Sequence, residues 1–115
     1  ALDEELIGLF TDKEKQQCVS HIRPHYVILK PALIGGFKAC HAFIELNTPW
    51  WITSALESNI GLNAIAQYTS TNTLARPQGL GTGSLFVNNF SSPLSIEEAR
   101  LCYNNEVPWN INTII

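Results

Sequence analysis

Charge is scarce in this sequence. Lys, Arg, Asp and Glu make up 15% of its 115 residues, and seven basic against ten acidic side chains leave a net charge of −3. The basic residues are scattered, so no stripe exists to neutralise a phosphate backbone, and a nucleic-acid partner is excluded. Long apolar runs are missing as well. None approaches the roughly 20 residues of a bilayer span, and the opening Ala1-Leu2-Asp3-Glu4-Glu5 is acidic where a secretory signal is basic. The expectation is a cytoplasmic protein with no membrane partner. Cysteine offers no framework either. Cys18, Cys40 and Cys102 are odd in number and far apart, which fits neither paired disulfides nor zinc spacing. They read as small buried hydrophobes. His21 and His25 stand four apart, but Pro24 interrupts any helix that would bring them to one face, and His41 has no partner in sequence.

What remains is apolar bulk. Hydrophobic residues account for 45% of the chain, enough for the core of a single domain. Trp50, Trp51, Phe86, Phe90 and Trp109 are large surfaces that a domain of this size buries incompletely, so something beyond the chain is expected to cover them.

Periodicity gives the order of elements. Thr11-x-x-Glu14 is a capping-box spacing and starts a helix with Cys18, Val19 and Ile22 on its apolar face, closed before Pro24. Tyr26-Val27-Ile28-Leu29-Lys30-Pro31 is a run of β-formers that suits a parallel strand buried on both faces, with Lys30 at its carboxyl end. A turn at Ile34-Gly35-Gly36 precedes a helix over 37–46, which Thr48-Pro49 ends. Trp50-Trp51-Ile52 reads as a second strand that hands over to a helix through Ser54-x-x-Glu57, another capping-box spacing. That junction is either a cap and nothing more, or a place where Thr53, Ser54, Ser58 and the free amides of a helix start meet an anion.

The helix over 58–69 carries Ile60, Gly61, Ala64, Ile65 and Tyr68 on one stripe. Gln78-Gly79-Leu80-Gly81-Thr82-Gly83 is a tight backbone segment that allows close approach, without the strand and helix context of a nucleotide fingerprint. From residue 95 the pattern fits a helix capped by Ser95-x-x-Glu98, or two short strands at Leu94-Ser95-Ile96 and Leu101-Cys102-Tyr103. Repeated β-α units imply an α/β fold with a parallel sheet and right-handed crossovers. A closed (β/α)₈ barrel takes about 250 residues, so this chain is expected to supply less than half of one.

In such a barrel the acids Asp3, Glu4 and Glu5, the strand-end Lys30 and the hydroxyls of Thr53 and Ser54 converge on one mouth. Each also has a plain reading, as a solvated turn, a lysine reaching solvent from an edge, and a cap. As a set, Ala1-Leu2-Asp3-Glu4-Glu5-Leu6, Ile28-Leu29-Lys30-Pro31-Ala32-Leu33-Ile34-Gly35-Gly36, Thr53-Ser54-Ala55-Leu56-Glu57-Ser58-Asn59-Ile60-Gly61-Leu62 and Gly79-Leu80-Gly81-Thr82 resemble the C-terminal part of the o-succinylbenzoate synthases, enolase-superfamily enzymes of menaquinone biosynthesis.

The resemblance implies the C-terminal portion of an enolase-type (β/α)-barrel over residues 1–94. Residues 95–115 then form a tail, a helix or a short strand pair, packed on the barrel or on a capping domain outside the chain. It implies Mg²⁺ held by three acids, of which Asp3 matches the third, with the other two and the family's Lys-x-Lys base upstream of this sequence. Such a cation bridges to the substrate carboxylate and stabilises the charge that develops when the α-proton leaves. Lys30 matches the lysine on the opposite face of the substrate, where its ammonium stabilises the enolate. Thr53, Ser54 and the backbone near Gly79 match the place that holds the succinyl carboxylate, with Glu57 and Ser58 in capping and supporting roles.

The expected substrate is thus a small carboxylate, and the isolated chain is expected to be inactive and to self-associate through exposed barrel edges. The same scaffold also carries N-succinylamino acid racemases and cycloisomerases, in which Lys30 is a true acid or base. A non-catalytic partial barrel acting as a binding module is the alternative from another class.

Overall fold

The computed structural model describes residues 1–112; the end of the predicted tail unit, residues 113–115, lies outside the described residues. Helix α1 spans Asp12–Ile22, and its start is the expected capping box. The Thr11 hydroxyl accepts from the Glu14 N–H, while the Glu14 carboxylate accepts from the Thr11 N–H at 2.8 Å. These donors hold the Glu14 carboxyl below its ordinary value of 4.5, the Thr11 amide first and the Thr11 hydroxyl second. A lowered carboxylate pKa stabilises the fold above the unfolded value and loses that contribution as pH falls through the folded one. Urea midpoints measured from pH 7 down to pH 3 are therefore expected to fall less steeply for Glu14→Gln than for the parent. Parallel curves would remove Glu14 from the acid response.

Strand β1, Val27–Leu29, is shorter than the apolar run that announced it, because Lys30 already caps a four-residue helix α2, Pro31–Ile34. Pro31 stands at its first position, where a missing N–H costs nothing. Gly35 and Gly36 adopt φ of 102° and 85°, so the turn between α2 and helix α3, Phe37–Ile44, needs residues without a Cβ. Strand β2, Trp50–Ile52, runs parallel to β1, with Val27 opposite Trp50, Ile28 opposite Trp51 and Leu29 opposite Ile52. Parallel bridges continue the ladder on both sides, from Leu2 to Val27 and from Thr53 to Gly79. The order Leu2, β1, β2, Gly79 is the order of the chain, with α1, α2 with α3, and helix α4 (Asn59–Ser70) as the successive crossovers.

The helices cover one face of this sheet. Val27, Leu29 and Ile52 are buried together with Leu6, Val19, Cys40, Phe43 and Ile65. Burial pushes the Cys40 thiol up to about 12. Side chains alternate across a strand, so Ile28, Lys30, Trp51 and Thr53 belong to the other face, and all four are only partly buried. The expectation of a first strand buried on both faces is therefore corrected: β1 is buried on the helical side and open on the other.

Three further expectations change. Ser54 does not cap a helix, because α4 begins at Asn59 with Ser58 as its cap. The buried stripe of α4 is Leu62, Ile65 and Thr69, while Ile60 is exposed. Of the cysteines only Cys40 is buried; Cys18 and Cys102 are partly exposed. In the tail, the strand reading holds: β3, Leu94–Glu97, pairs antiparallel with β4, Arg100–Tyr103. Glu98 and Ala99 connect them with φ of 47° and 61°, the left-handed values that the tightest hairpin turns require. Trp50, Trp51, Phe90 and Trp109 are partly buried and Phe86 is exposed, as their bulk foretold.

Candidate functional site

Consecutive strand ends bring the sequence-predicted residues together in two pairs. Asp3 follows the Leu2 bridge and Lys30 follows β1, so they lie side by side although 27 residues apart in sequence. The Lys30 ammonium donates to Asp3 Oδ2 at 2.9 Å and sits 2.8 Å from Oδ1. The side chains keep 19% and 36% of their exposure, so the pair is partly solvated and contributes about 1 kcal/mol or less to stability. Asp3 Oδ1 is buried, and among the described residues it has no hydrogen-bond partner beyond its 2.8 Å ionic contact with the Lys30 ammonium. Glu4 and Glu5 turn away to solvent, and the Glu5 carboxylate accepts from the Asp3 N–H, which lowers its pKa.

Asp3 has the chemistry of a divalent-cation ligand: a carboxylate on the open face of the sheet, one oxygen lacking a directed donor. It fits as one contributor. Among the described residues no group of three His, Cys, Asp or Glu side chains stands close enough to hold a metal.

The second pair is Thr53 and Gly79, with Ser54 beside them. Thr53 and Ser54 extend β2, and Gly79 closes on them from the far end of the α4 crossover. Gly79 N–H donates to Ile52 O at 2.9 Å, and Gly79 O accepts from Ser54 N–H at 2.9 Å. The Thr53 hydroxyl donates to the same carbonyl at 2.8 Å. A Cβ on Gly79 would stand 2.7 Å from Thr53 Oγ1, so the glycine is there for room. What approaches the glycine-rich segment is thus β2 itself. Ser54 is 4% exposed, and its hydroxyl lies 2.7 Å from Thr82 Oγ1.

The helix start that follows has little left for an anion. Asn59 N–H is taken by Asn89 Oδ1 at 2.8 Å, and Gly61 N–H faces Ser58 Oγ at 3.5 Å. Asn89 also donates to Gly83 O, so the 83–90 segment is tied over the first turn of α4. The Glu57 carboxylate lies back against Gly61, where an added Cβ would meet Oε2 at 2.7 Å. Ser58 caps as expected and Glu57 does not.

Sequence reasoning missed two contributors. Gln78 Oε1 accepts from Ile52 N–H at 2.7 Å and so completes the ladder with a side chain. Thr82 joins Ser54 to Ala55 O, at 2.7 and 2.8 Å. Both stand in or next to the glycine-rich motif, whose spacing carries no sign of what its polar side chains bind. A cavity of about 630 Å³ between α4 and the hairpin is lined by Thr69, Leu80, Ile96 and Leu101 among others, and by none of the predicted site residues.

Fold and site together describe an α/β protein whose parallel strands, in chain order, present a lysine–aspartate pair and a hydroxyl cluster at their carboxyl ends. The chain is 52% identical over 101 residues to the o-succinylbenzoate synthase of Desulfotalea psychrophila, an alignment that covers 84% of this chain and 27% of that protein. The crystal structure of MenC from the same organism superimposes with a TM-score of 0.78 at 48% identity, covering 87% of this chain and 29% of that one. The resemblance read in the motifs is therefore shown. The chain spans about a quarter of the length of the curated relative it matches. No family model matches it. No helix among the described residues is long and apolar enough to cross a membrane.

Proposed function

We propose that this chain is an arc of an enolase-type (β/α)-barrel and contributes one side of an o-succinylbenzoate synthase active site. Two structural facts support the barrel. The parallel strands follow chain order without reversal, and the crossover helices lie on one face only, whereas a doubly wound sheet places helices on both. The uncovered face then turns toward the barrel axis, which accounts for the polar residues upon it.

One observation carries the functional reading: Lys30 and Asp3, the two residues that match the family's charge-bearing positions, meet at 2.8–2.9 Å at neighbouring strand ends. The reaction is the dehydration of 2-succinyl-6-hydroxy-2,4-cyclohexadiene-1-carboxylate to o-succinylbenzoate. A base from outside this chain takes the proton α to the carboxylate, negative charge develops on that carboxylate, and the ring C–O bond then breaks as the ring aromatises, the departing hydroxide taking up the proton the base removed to leave as water. Lys30 supplies a fixed ammonium where the charge develops, an interaction worth more in a water-excluded site than in solution. Asp3 would provide one ligand to Mg²⁺, which neutralises substrate carboxylate charge when bound. The strand end at Thr53, Ser54 and Gly79 receives the succinyl carboxylate. Three free cysteines agree with a cytoplasmic setting.

The test is Mg²⁺-dependent formation of o-succinylbenzoate, assayed with this chain alone and with the chain joined to its upstream strands. Activity in the joined protein alone is expected. Full turnover by this chain alone would refute the division of the site between chain and upstream strands, and inactivity of both would refute the synthase.

A further inference from the structure

The hydroxyl protons at the end of β2 can be assigned one by one. Thr82 Oγ1 lies 2.8 Å from Ala55 O, and a carbonyl only accepts, so the single Thr82 proton goes there. The 2.7 Å contact between Ser54 Oγ and Thr82 Oγ1 then takes its proton from Ser54, whose other acceptor, Gly79 O, stands farther off at 3.3 Å. Thr53 has already given its proton to Gly79 O. Neither of the hydroxyls expected to meet a carboxylate has a proton to offer it. A donor has to come from the backbone.

The same relay determines which backbone group that is. In a trans peptide the C=O and the following N–H point in opposite directions. Ala55 O accepts from the Thr82 hydroxyl at 2.8 Å and also from Glu57 N–H at 3.1 Å. The Leu56 N–H is thereby turned the other way. Among the described residues it meets no acceptor, and the Leu56 side chain beside it is 72% exposed.

We propose that Thr82 is a positioning residue for carboxylate recognition, its hydroxyl fixing the Ala55–Leu56 peptide so that the Leu56 N–H is presented to the anion. This rests on the reading that the β2 end receives a carboxylate, and it assigns a role to a residue that touches no substrate. Thr82 acts through Ala55. A serine in its place keeps the proton and the relay; a valine keeps the shape and loses both.

The experiment is a titration of the ¹⁵N-labelled chain with sodium succinate against a matched sodium chloride control, following backbone amide shifts. The parent and Thr82→Ser are expected to show a saturable shift at Leu56 with similar apparent affinity. Thr82→Val is expected to bind about tenfold more weakly, the scale of one charge-assisted hydrogen bond, with its melting temperature near that of the parent. Equal affinity of the valine variant would overturn the role of Thr82 and leave the carboxylate site standing. Shifts at Thr53 and Gly79 without Leu56 would do the same. No succinate-dependent shift anywhere in 53–58 or 79–82 would overturn the carboxylate site and the proposal together. A measurement on the parent alone covers the case in which the valine variant does not fold: the Leu56 amide should exchange with solvent far faster than the Ser54 amide, which is bonded to Gly79 O. Equal protection of the two would overturn the proposal.

Discussion

Lys30→Ala, made in the protein that includes the upstream strands, is expected to form o-succinylbenzoate about 10²-fold or more slowly, the loss seen when a group aimed at developing charge is removed. The fold should hardly notice. The Lys30–Asp3 pair is partly solvated, so its loss costs about 1 kcal/mol or less, and Asp3 can take water in place of the ammonium. Rate and melting temperature therefore separate the chemical role of Lys30 from a structural one. A variant that keeps its rate would reduce the lysine to a surface ion pair and leave the chain as a scaffold. One that loses rate in proportion to a collapse in stability would show the pair to be architectural. Lys30→Arg is a useful companion. It retains the charge but replaces a compact ammonium with a planar fork, so partial activity there would locate the requirement in charge and its position.

The largest effect on stability is expected from Phe43→Ala. Phe43 has no exposed surface and packs within the cluster that joins the short 3-10 turn Glu4–Leu6 at Leu6, α1 at Val19, β1 at Leu29 and α4 at Ile65. Truncating a buried phenylalanine costs about 3–5 kcal/mol, from lost transfer energy and from the cavity left behind. Domains of this kind hold about 5–15 kcal/mol in all. The exposed aromatic residues and one-sided sheet place this chain toward the lower end, so the alanine variant should be largely unfolded at 37 °C. Phe43→Leu keeps most of the volume and should cost roughly 1–2 kcal/mol. Urea denaturation of parent and variants reads both numbers. An alanine variant within 1 kcal/mol of the parent would mean that the helical layer is not the one that holds the sheet.

Much of this was legible in the residues. The Thr11-x-x-Glu14 box is a local device whose partners lie three apart, so spacing alone identifies it. The same spacing at Ser54 misleads, because Ser54 stands five residues before the helix begins and its hydroxyl is held by Thr82 and Gly79 instead. Local pattern cannot see a partner 28 residues away. The open face of β1 was hidden for a related reason. A run such as Val27-Ile28-Leu29 is apolar on both sides, and its sequence does not say whether the second side is covered within the chain. The hairpin is not legible in the sequence because its turn uses Glu98 and Ala99, where Asn-Gly would announce one. Asp3 meets Lys30, and Thr53 and Ser54 meet Gly79, at neighbouring strand ends, whereas Thr82 and Gln78 take part through bonds that only the folded chain reveals.

The regular return of the chain has a consequence for how it folds. Lys30 reaches back 27 residues to Asp3, and Gln78 reaches back 26 to Ile52. Each strand in the parallel sheet meets the one synthesised just before it, so no pairing waits for a distant segment. Contacts of such modest and uniform separation favour stepwise accretion during translation, each helix–strand unit docking on its predecessor as it leaves the ribosome. The unfinished edge passes from one unit to the next. Its exposure at any moment is set by the rate of synthesis, and pauses within the 71–78 connection are the points at which that edge would wait longest for Gly79 to close it.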